Sequence, residues 1–167
     1  IQKIDAVLLH YPKQLKTRMG PKIWEGMQGL IEDGLANKIG YSIYEVNELE
    51  ELYAQYKPSL IQTPYNIFDD RIKRSGWLDI LYKDKVEIHV RSVFLQGLLL
   101  MSKHVRPEKF NMWSDILNDW DGWLASNKLS GLEACLDFVM KEKKIDKIIV
   151  GVSSLDNLKE ITKVAKA

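Results

Sequence analysis

Cysteine is almost missing from this 167-residue chain. Cys135 stands alone, so no internal disulfide can form, and the sequence predicts a buried thiol in a reducing, cytoplasmic compartment. Charge of one sign is missing as well. Lys and Arg number 24 against 23 Asp and Glu with no basic block, so the clustered cations that neutralise nucleic-acid phosphates are not there. That excludes an electrostatic nucleic-acid partner. No apolar run approaches the ~20 residues that cross a bilayer. The longest, over 93–101, is interrupted by Gln96 and Gly97, and no membrane partner is expected. Linkers rich in Gly, Ser or Pro, low-complexity tracts, a G-x-G-x-x-G after a strand, a Walker sequence and a G-x-S-x-G elbow are all lacking. His10, His89 and His104 show no metal-ligand spacing and Cys135 falls on an apolar helical face, so no metal site is predicted. A basic-then-apolar leader and an initiator Met are missing too, which leads us to expect a piece of a longer protein.

What is present is a core-forming composition, 46% apolar and 10% aromatic, enough for one globular domain. Short β-branched runs alternate with longer amphipathic ones. The patterns predict strands over 4–10, 39–44, 60–66, 86–94 and 145–152. A helix is predicted over 21–36, with Pro21 in its first turn, Ile23, Trp24, Met27, Leu30 and Ile31 at 3–4 spacing, and Asn37–Lys38 as its stop. Further helices are predicted on the stripe Val46, Leu49, Leu52, Tyr53 and Tyr56, over 71–82, over 132–140, and from Leu155 with Ser154 as cap. Trp113, Ile116, Leu117, Trp120 and Leu124 predict one more helix inside the long connection after the fourth strand. The tryptophans at helical spacing read as packing. His89, mid-strand, reads as buried or helix-facing, and His104 as solvated.

Five strands that read as apolar along their length, alternating with helices, predict a parallel sheet covered by helices. Closure is either an open doubly wound sheet or a (β/α)8 TIM barrel. A whole barrel needs about 200 residues or more, so this chain holds about five of its eight units, plus the extra helix. Ligands in parallel α/β folds sit beyond the carboxyl ends of the strands. Those ends carry His10, Ser42, Gln62 with Asn66, Arg91 with Ser92, and Gly151 with Ser153. A histidine there can donate from Nε2 to a carbonyl oxygen and polarise it. Ser42 and Gln62 can together hold a carboxamide. Arg91, Ser92, Gln96 and Gly97 place donors on a loop suited to a phosphate, Arg91 alternatively stacking on an aromatic ring. Residues 151–154 open the last helix, whose free N–H groups suit an anion.

The segments IDAVLLHYP, GLANKIGYSIY, LIQTPYNIFDDR, VRSVFLQGLLL and KIIVGVSSLDNLKEI, in this order and spacing, resemble the second part of an aldo-keto reductase, with VRSVFLQGLLL similar to bacterial members. The resemblance implies strands four to eight of a (β/α)8 barrel that binds NADPH or NADH across the carboxyl ends of its strands and passes hydride to a small aldehyde or ketone. His10 then matches the active-site histidine, and Ser42 and Gln62 the residues holding the nicotinamide carboxamide. Arg91 falls where many members stack an aromatic ring on the nicotinamide. Ser92, Phe94, Gln96 and Gly97 match the loop along the pyrophosphate, and Gly151, Ser153, Ser154 and Asn157 the segment at the adenosine phosphate.

Three departures accompany the match. Ile43 stands where the family usually has Asn beside the carboxamide serine, Ile161 where an Asn commonly meets adenine, and residues 151–157 contain no Lys or Arg for a 2′-phosphate. In addition, the family's Asp, its acidic Tyr and the Lys that lowers that tyrosine's pKa come from the first three strands, which this sequence does not match. Tyr11, Tyr41 and Tyr44 lie outside the family's tyrosine motif. The expectation is an inactive fragment of a reductase, residues 1–167 being the C-terminal portion of one barrel domain and prone to self-association through open edges if isolated. The alternatives are a non-catalytic cofactor-binding or regulatory module, and a phosphosugar-binding α/β enzyme.

Overall fold

In the computed structural model, residues 3–166 are described, so Ile1, Gln2 and Ala167 of the expected domain lie outside the described residues. Five strands, β1 (Ile4–Leu9), β2 (Ala36–Ser42), β3 (Leu60–Pro64), β4 (Glu87–Arg91) and β5 (Lys147–Ile148), form one sheet in chain order, each parallel to its neighbour. Between and after them run α1 (Gly20–Glu32), α2 (Asn47–Leu52), α3 (Arg71–Arg74), α4 (Trp77–Lys83), α5 (Ser114–Asn127), α6 (Gly131–Met140) and α7 (Leu155–Val164). Sequential parallel pairing with intervening helices is the arrangement of consecutive staves in a (β/α)8 barrel, here five of them, with α5 as the extra helix after β4.

The core lies between sheet and helices. Ile39, Tyr41, Ile61, Ile88 and Val90 meet Trp24, Leu49, Leu78, Leu81 and Val139 there. The alternate strand residues face the other way and are not uniformly apolar, which corrects the reading of strands apolar throughout. Lys38, Glu87, His89 and Lys147 share that inner face. Glu87 is its hub, meeting Lys38 Nζ at 2.5 Å, His89 Nε2 at 2.6 Å and Lys147 Nζ at 3.1 Å, while Lys147 also reaches Asp5 of β1 at 3.4 Å. His89 is buried as expected but on this inner face, alternating with the helix-facing Ile88 and Val90.

Boundaries shift for identifiable reasons. α1 ends at Glu32, not at Asn37–Lys38. Gly34 adopts φ 69°, with Gly34 N–H bonding to Ile31 O and Leu35 N–H to Leu30 O, a Schellman stop that only a residue free of Cβ makes cheaply. Asn37 and Lys38 are thereby released into β2. Gly76 at φ 82° divides the helix expected over 71–82 into α3 and α4. β5 is much shorter than expected. Beyond Ile149 N–H, which donates to Val90 O at 2.7 Å, β4 has already turned away at Ser92, φ 59°, and leaves residues 150–152 no backbone to pair with. Of the three tryptophans in and before α5 only Trp120 is buried, donating from Nε1 to Leu99 O and stacking on Trp123. Trp113 and Trp123 are about half exposed, so the packing role applies to one of the three.

Candidate active site

The register brings the polar strand ends to one rim. Leu9 lies opposite Tyr41, Ser42 opposite Gln62, and Pro64 opposite Arg91, which sets His10, Ser42, Gln62 and Arg91 side by side. Gly40, two residues before Ser42, permits this close strand packing: a Cβ there would fall onto the carbonyl oxygen of Leu60. Ser42 is buried, and its hydroxyl donates to Gln62 Oε1 at 3.1 Å. Arg91 donates from Nε to that same hydroxyl at 3.3 Å, from Nη1 to Ser92 Oγ at 3.2 Å and from Nη2 to the Ile43 carbonyl at 3.0 Å. Its guanidinium lies 4.1 Å from the centre of the Tyr44 ring, the stacking anticipated as the alternative role of this arginine. The Tyr44 hydroxyl is 3.5 Å from His10 Nε2, with the rings edge to face. A continuous polar chain thus runs from His10 through Tyr44 and Arg91 to Ser42 and Gln62. Ile43 takes part through its carbonyl alone, its side chain being buried in the core.

The loop after β4 is built on left-handed backbone: Ser92 at φ 59°, Leu95 at 47°, Gln96 at 55° and Gly97 at 87°. A non-glycine residue costs about 1 kcal/mol or more in that region, so the loop must be held from elsewhere. Asn66, 1% exposed, does so, donating from Nδ2 to the Ser92 carbonyl at 3.1 Å while its Oδ1 accepts from Phe68 N–H at 2.9 Å. Between this loop and the carboxyl end of β5 opens a cleft of about 780 Å³, lined by Ser92, Phe94, Gln96 and Gly97 on one side and Gly151, Ser153, Asn157, Glu160 and Ile161 on the other. Ser153 Oγ donates to Asn157 Oδ1 at 2.8 Å. Ser154 stands apart from the cleft and caps α7, accepting from Asn157 N–H at 3.1 Å. Ser92 both meets Arg91 and lines the cleft, so rim and cleft are one surface.

Two groups are set aside by their surroundings. The Tyr41 hydroxyl lies in the helix-side core without a partner, and burial raises its pKa far above the usual phenol range. Burial likewise pushes the Cys135 thiol up to about 12. Neither is poised to exchange a proton. Tyr44, Asn66's anchoring role and Glu160 are what sequence reasoning passed over. Tyr44 is two residues beyond Ser42, so strand alternation alone could have pointed to it. Glu160 lies one turn beyond Asn157 on α7 and was equally within reach of helical periodicity.

Residues 1–167 match the model of the Aldo/keto reductase family. The chain is 29% identical over 99 residues to glyoxal reductase of Bacillus subtilis (strain 168), an overlap covering 58% of this chain and 34% of that protein. Among solved structures it is similar to the holo form of an aldo-keto reductase from Bacillus halodurans, with TM-score 0.78 and 20% identity over 99% of this chain and 56% of that one. It is also similar to the glycerol dehydrogenase of Gluconobacter oxydans, with TM-score 0.65 and 17% identity over 98% of this chain and 59% of that one. The chain spans about half the length of these structures, and at such identities the likeness speaks to fold. With the family matched end to end and the partial barrel seen directly, the chain belongs to the aldo/keto reductase family.

Proposed function

We propose that this chain provides the cofactor-binding wall and the carbonyl-orienting histidine of an NAD(P)H-dependent reductase of small aldehydes or ketones, as the C-terminal five βα units of one barrel domain. The observation that carries this is the continuity of the rim from His10 to Gln62 with the cleft behind Ser92. The residues fit a dinucleotide. Ser42 donates to Gln62 Oε1, which leaves the Gln62 amide N–H groups without a protein acceptor among the described residues and able to hold a carboxamide oxygen. Arg91 fixes Ser42 and is a positioning residue for it. The cleft has a mixed polar and apolar lining suited to a phosphate-linked nucleotide.

When bound, the dinucleotide supplies the hydride. His10 Nε2–H donates to the substrate oxygen, orienting the carbonyl and drawing charge onto it. Protonation of that oxygen needs an acid; Tyr41 is sealed in the core, Tyr44 beside His10 lies outside the family's tyrosine motif, and the family's Asp, Tyr and Lys motif is unmatched. Absence of a general acid costs about 10²–10⁴-fold, so the chain alone is inert as a reductase. Titrating the chain with NADH and following nicotinamide fluorescence is expected to give saturable binding, with no NADH oxidation on a carbonyl panel that includes glyoxal. Failure to bind overturns the cofactor assignment. Turnover at the rate of a complete family member overturns the missing-acid argument. A second reading, a non-catalytic cofactor-sensing module, draws on Arg91 and Ile161, and binding without turnover by the whole protein would favour it.

A further inference from the structure

We infer that Tyr44 is a second hydrogen-bond donor to the substrate's carbonyl oxygen, sharing that oxygen with His10, and that the buried carboxylate of Glu48 is a positioning residue for it. This rests on the reductase reading above and deepens it at the carbonyl end of the rim. Tyr44 is located from two sides. Its backbone N–H donates to Glu48 Oε2 at 2.7 Å, and the N–H of Glu45 donates to the same oxygen at 3.1 Å. Glu48 is 4% exposed and forms no ion pair among the described residues. A carboxylate is costly to bury unless hydrogen bonds satisfy it, so the two main-chain donors bind Glu48 firmly to this one turn. From the other side the Arg91 guanidinium lies 4.1 Å from the centre of the Tyr44 ring. The ring is held in place while the residue stays 47% exposed, which leaves the phenol open to a ligand.

At 3.5 Å the Tyr44 oxygen is farther from His10 Nε2 than the about 2.7–3.0 Å of a firm hydrogen bond, so neither group is committed to the other. Two donors at this separation can converge on one oxygen at ordinary hydrogen-bond lengths, and a carbonyl oxygen has two lone pairs to receive them. Charge gathers on that oxygen as hydride adds to the carbon. A second donor already in place therefore stabilises the transition state more than the ground state. Tyr44 keeps its proton in this role. The Arg91 donors are spent on Ser42, Ser92 and the Ile43 carbonyl, so none is bonded to the phenol oxygen to hold a phenolate. The chain by itself remains inert, because donating a hydrogen bond is not transferring a proton.

The test uses the full chain, with and without NADH, and acetone isotopically labelled at its carbonyl carbon. The resonance of that carbon moves downfield as its oxygen accepts hydrogen bonds. A downfield shift is expected with the unaltered chain, together with movement of the His10 Nε2 resonance. Tyr44→Phe keeps the ring that stacks on Arg91 and removes the hydroxyl alone. It is expected to lose about half of the shift and to weaken acetone binding about threefold to tenfold, as one hydrogen bond is lost. Glu48→Ala should fall toward the same values, and Glu48→Gln should recover part of the shift because an amide oxygen still accepts from the main chain. Should Glu48→Ala not fold, Tyr44→Phe and Glu48→Gln carry the test. A resonance unmoved by the unaltered chain, or equal shifts with and without the Tyr44 hydroxyl, overturns this inference, while saturable NADH binding in the same samples leaves the cofactor assignment standing. Equal shifts across the Glu48 variants overturn its positioning role. No NADH binding with a Tyr44-dependent shift retained overturns the cofactor assignment and leaves the donor pair in place.

Discussion

Arg91 concentrates more of the rim than any other side chain. Three of its donors are spent on Ser42, Ser92 and the Ile43 carbonyl, all neutral, and its flat face on Tyr44. Hydrogen bonds from a charged group contribute about 1.5–3 kcal/mol, and each 1.4 kcal/mol is tenfold in affinity. Arg91→Met is therefore expected to weaken NADH binding about tenfold or more by freeing Ser42 and Gln62. Arg91→Lys should restore little, because an ammonium cannot reproduce the planar fork. Fluorescence titration of the three proteins checks this, and an unchanged affinity in Arg91→Met would remove the positioning role. At this scale the sequence was informative about which residues sit at strand ends and silent about how they connect. His10, Ser42, Gln62 and Arg91 could be read because each follows an apolar run. Alternation with Ser42 could place Tyr44 on the same side, but not its stacking on Arg91 or its reach to His10, which depend on rotamers that composition and spacing do not specify.

Helix ends and loops decide where the elements stop. Ser130 opens α6 with a capping box, its side chain accepting from Glu133 N–H while Glu133 accepts from Ser130 N–H, and it borders the cleft. Losing such a cap costs about 1 kcal/mol. Ser130→Ala is expected to lower Tm by about 2–4 °C, measurable by calorimetry, while Ser130→Asp stays near the parent value. An unchanged Tm in the alanine variant would show that the box is not a net stabiliser. Strand order and the extra helix were legible from periodicity, because alternate burial on the helix side forces it. Strand length was not: β5 is cut short by the turn of its neighbour at Ser92, which is a property of β4 and its loop. The division of α3 from α4 is legible only if Gly76 is taken as a left-handed stop inside an otherwise helical stripe.

The molecule as a whole is tied across its inner face by charge. Lys38 first, then His89 and Lys147, hold the Glu87 carboxyl at about 2, below the ordinary glutamate value of 4.5. Between those two values the unfolded chain binds the proton that the folded chain refuses, so stability rises with pH through this window and is lost as pH falls from about 4.5 toward 2. Urea unfolding at a series of acid pH values should show this decline, with a flatter profile in Glu87→Gln. Equal slopes for the two proteins would mean that Glu87 does not set acid stability. Lys38, His89 and Lys147 face this carboxylate, Asp5 joins them through the two lysines, and none of the four was marked by sequence as belonging to one cluster.

Each strand bonds only to its neighbours in chain order, and β1 and β5 each leave one flank unpaired among the described residues. All the side chains assigned to the nucleotide are consequently carried by one uninterrupted stretch of polypeptide. A second polypeptide bringing the remaining staves would have just two seams to close. The two open flanks of the sheet are thus where any further staves of a barrel would join it, each by strand-to-strand pairing alone.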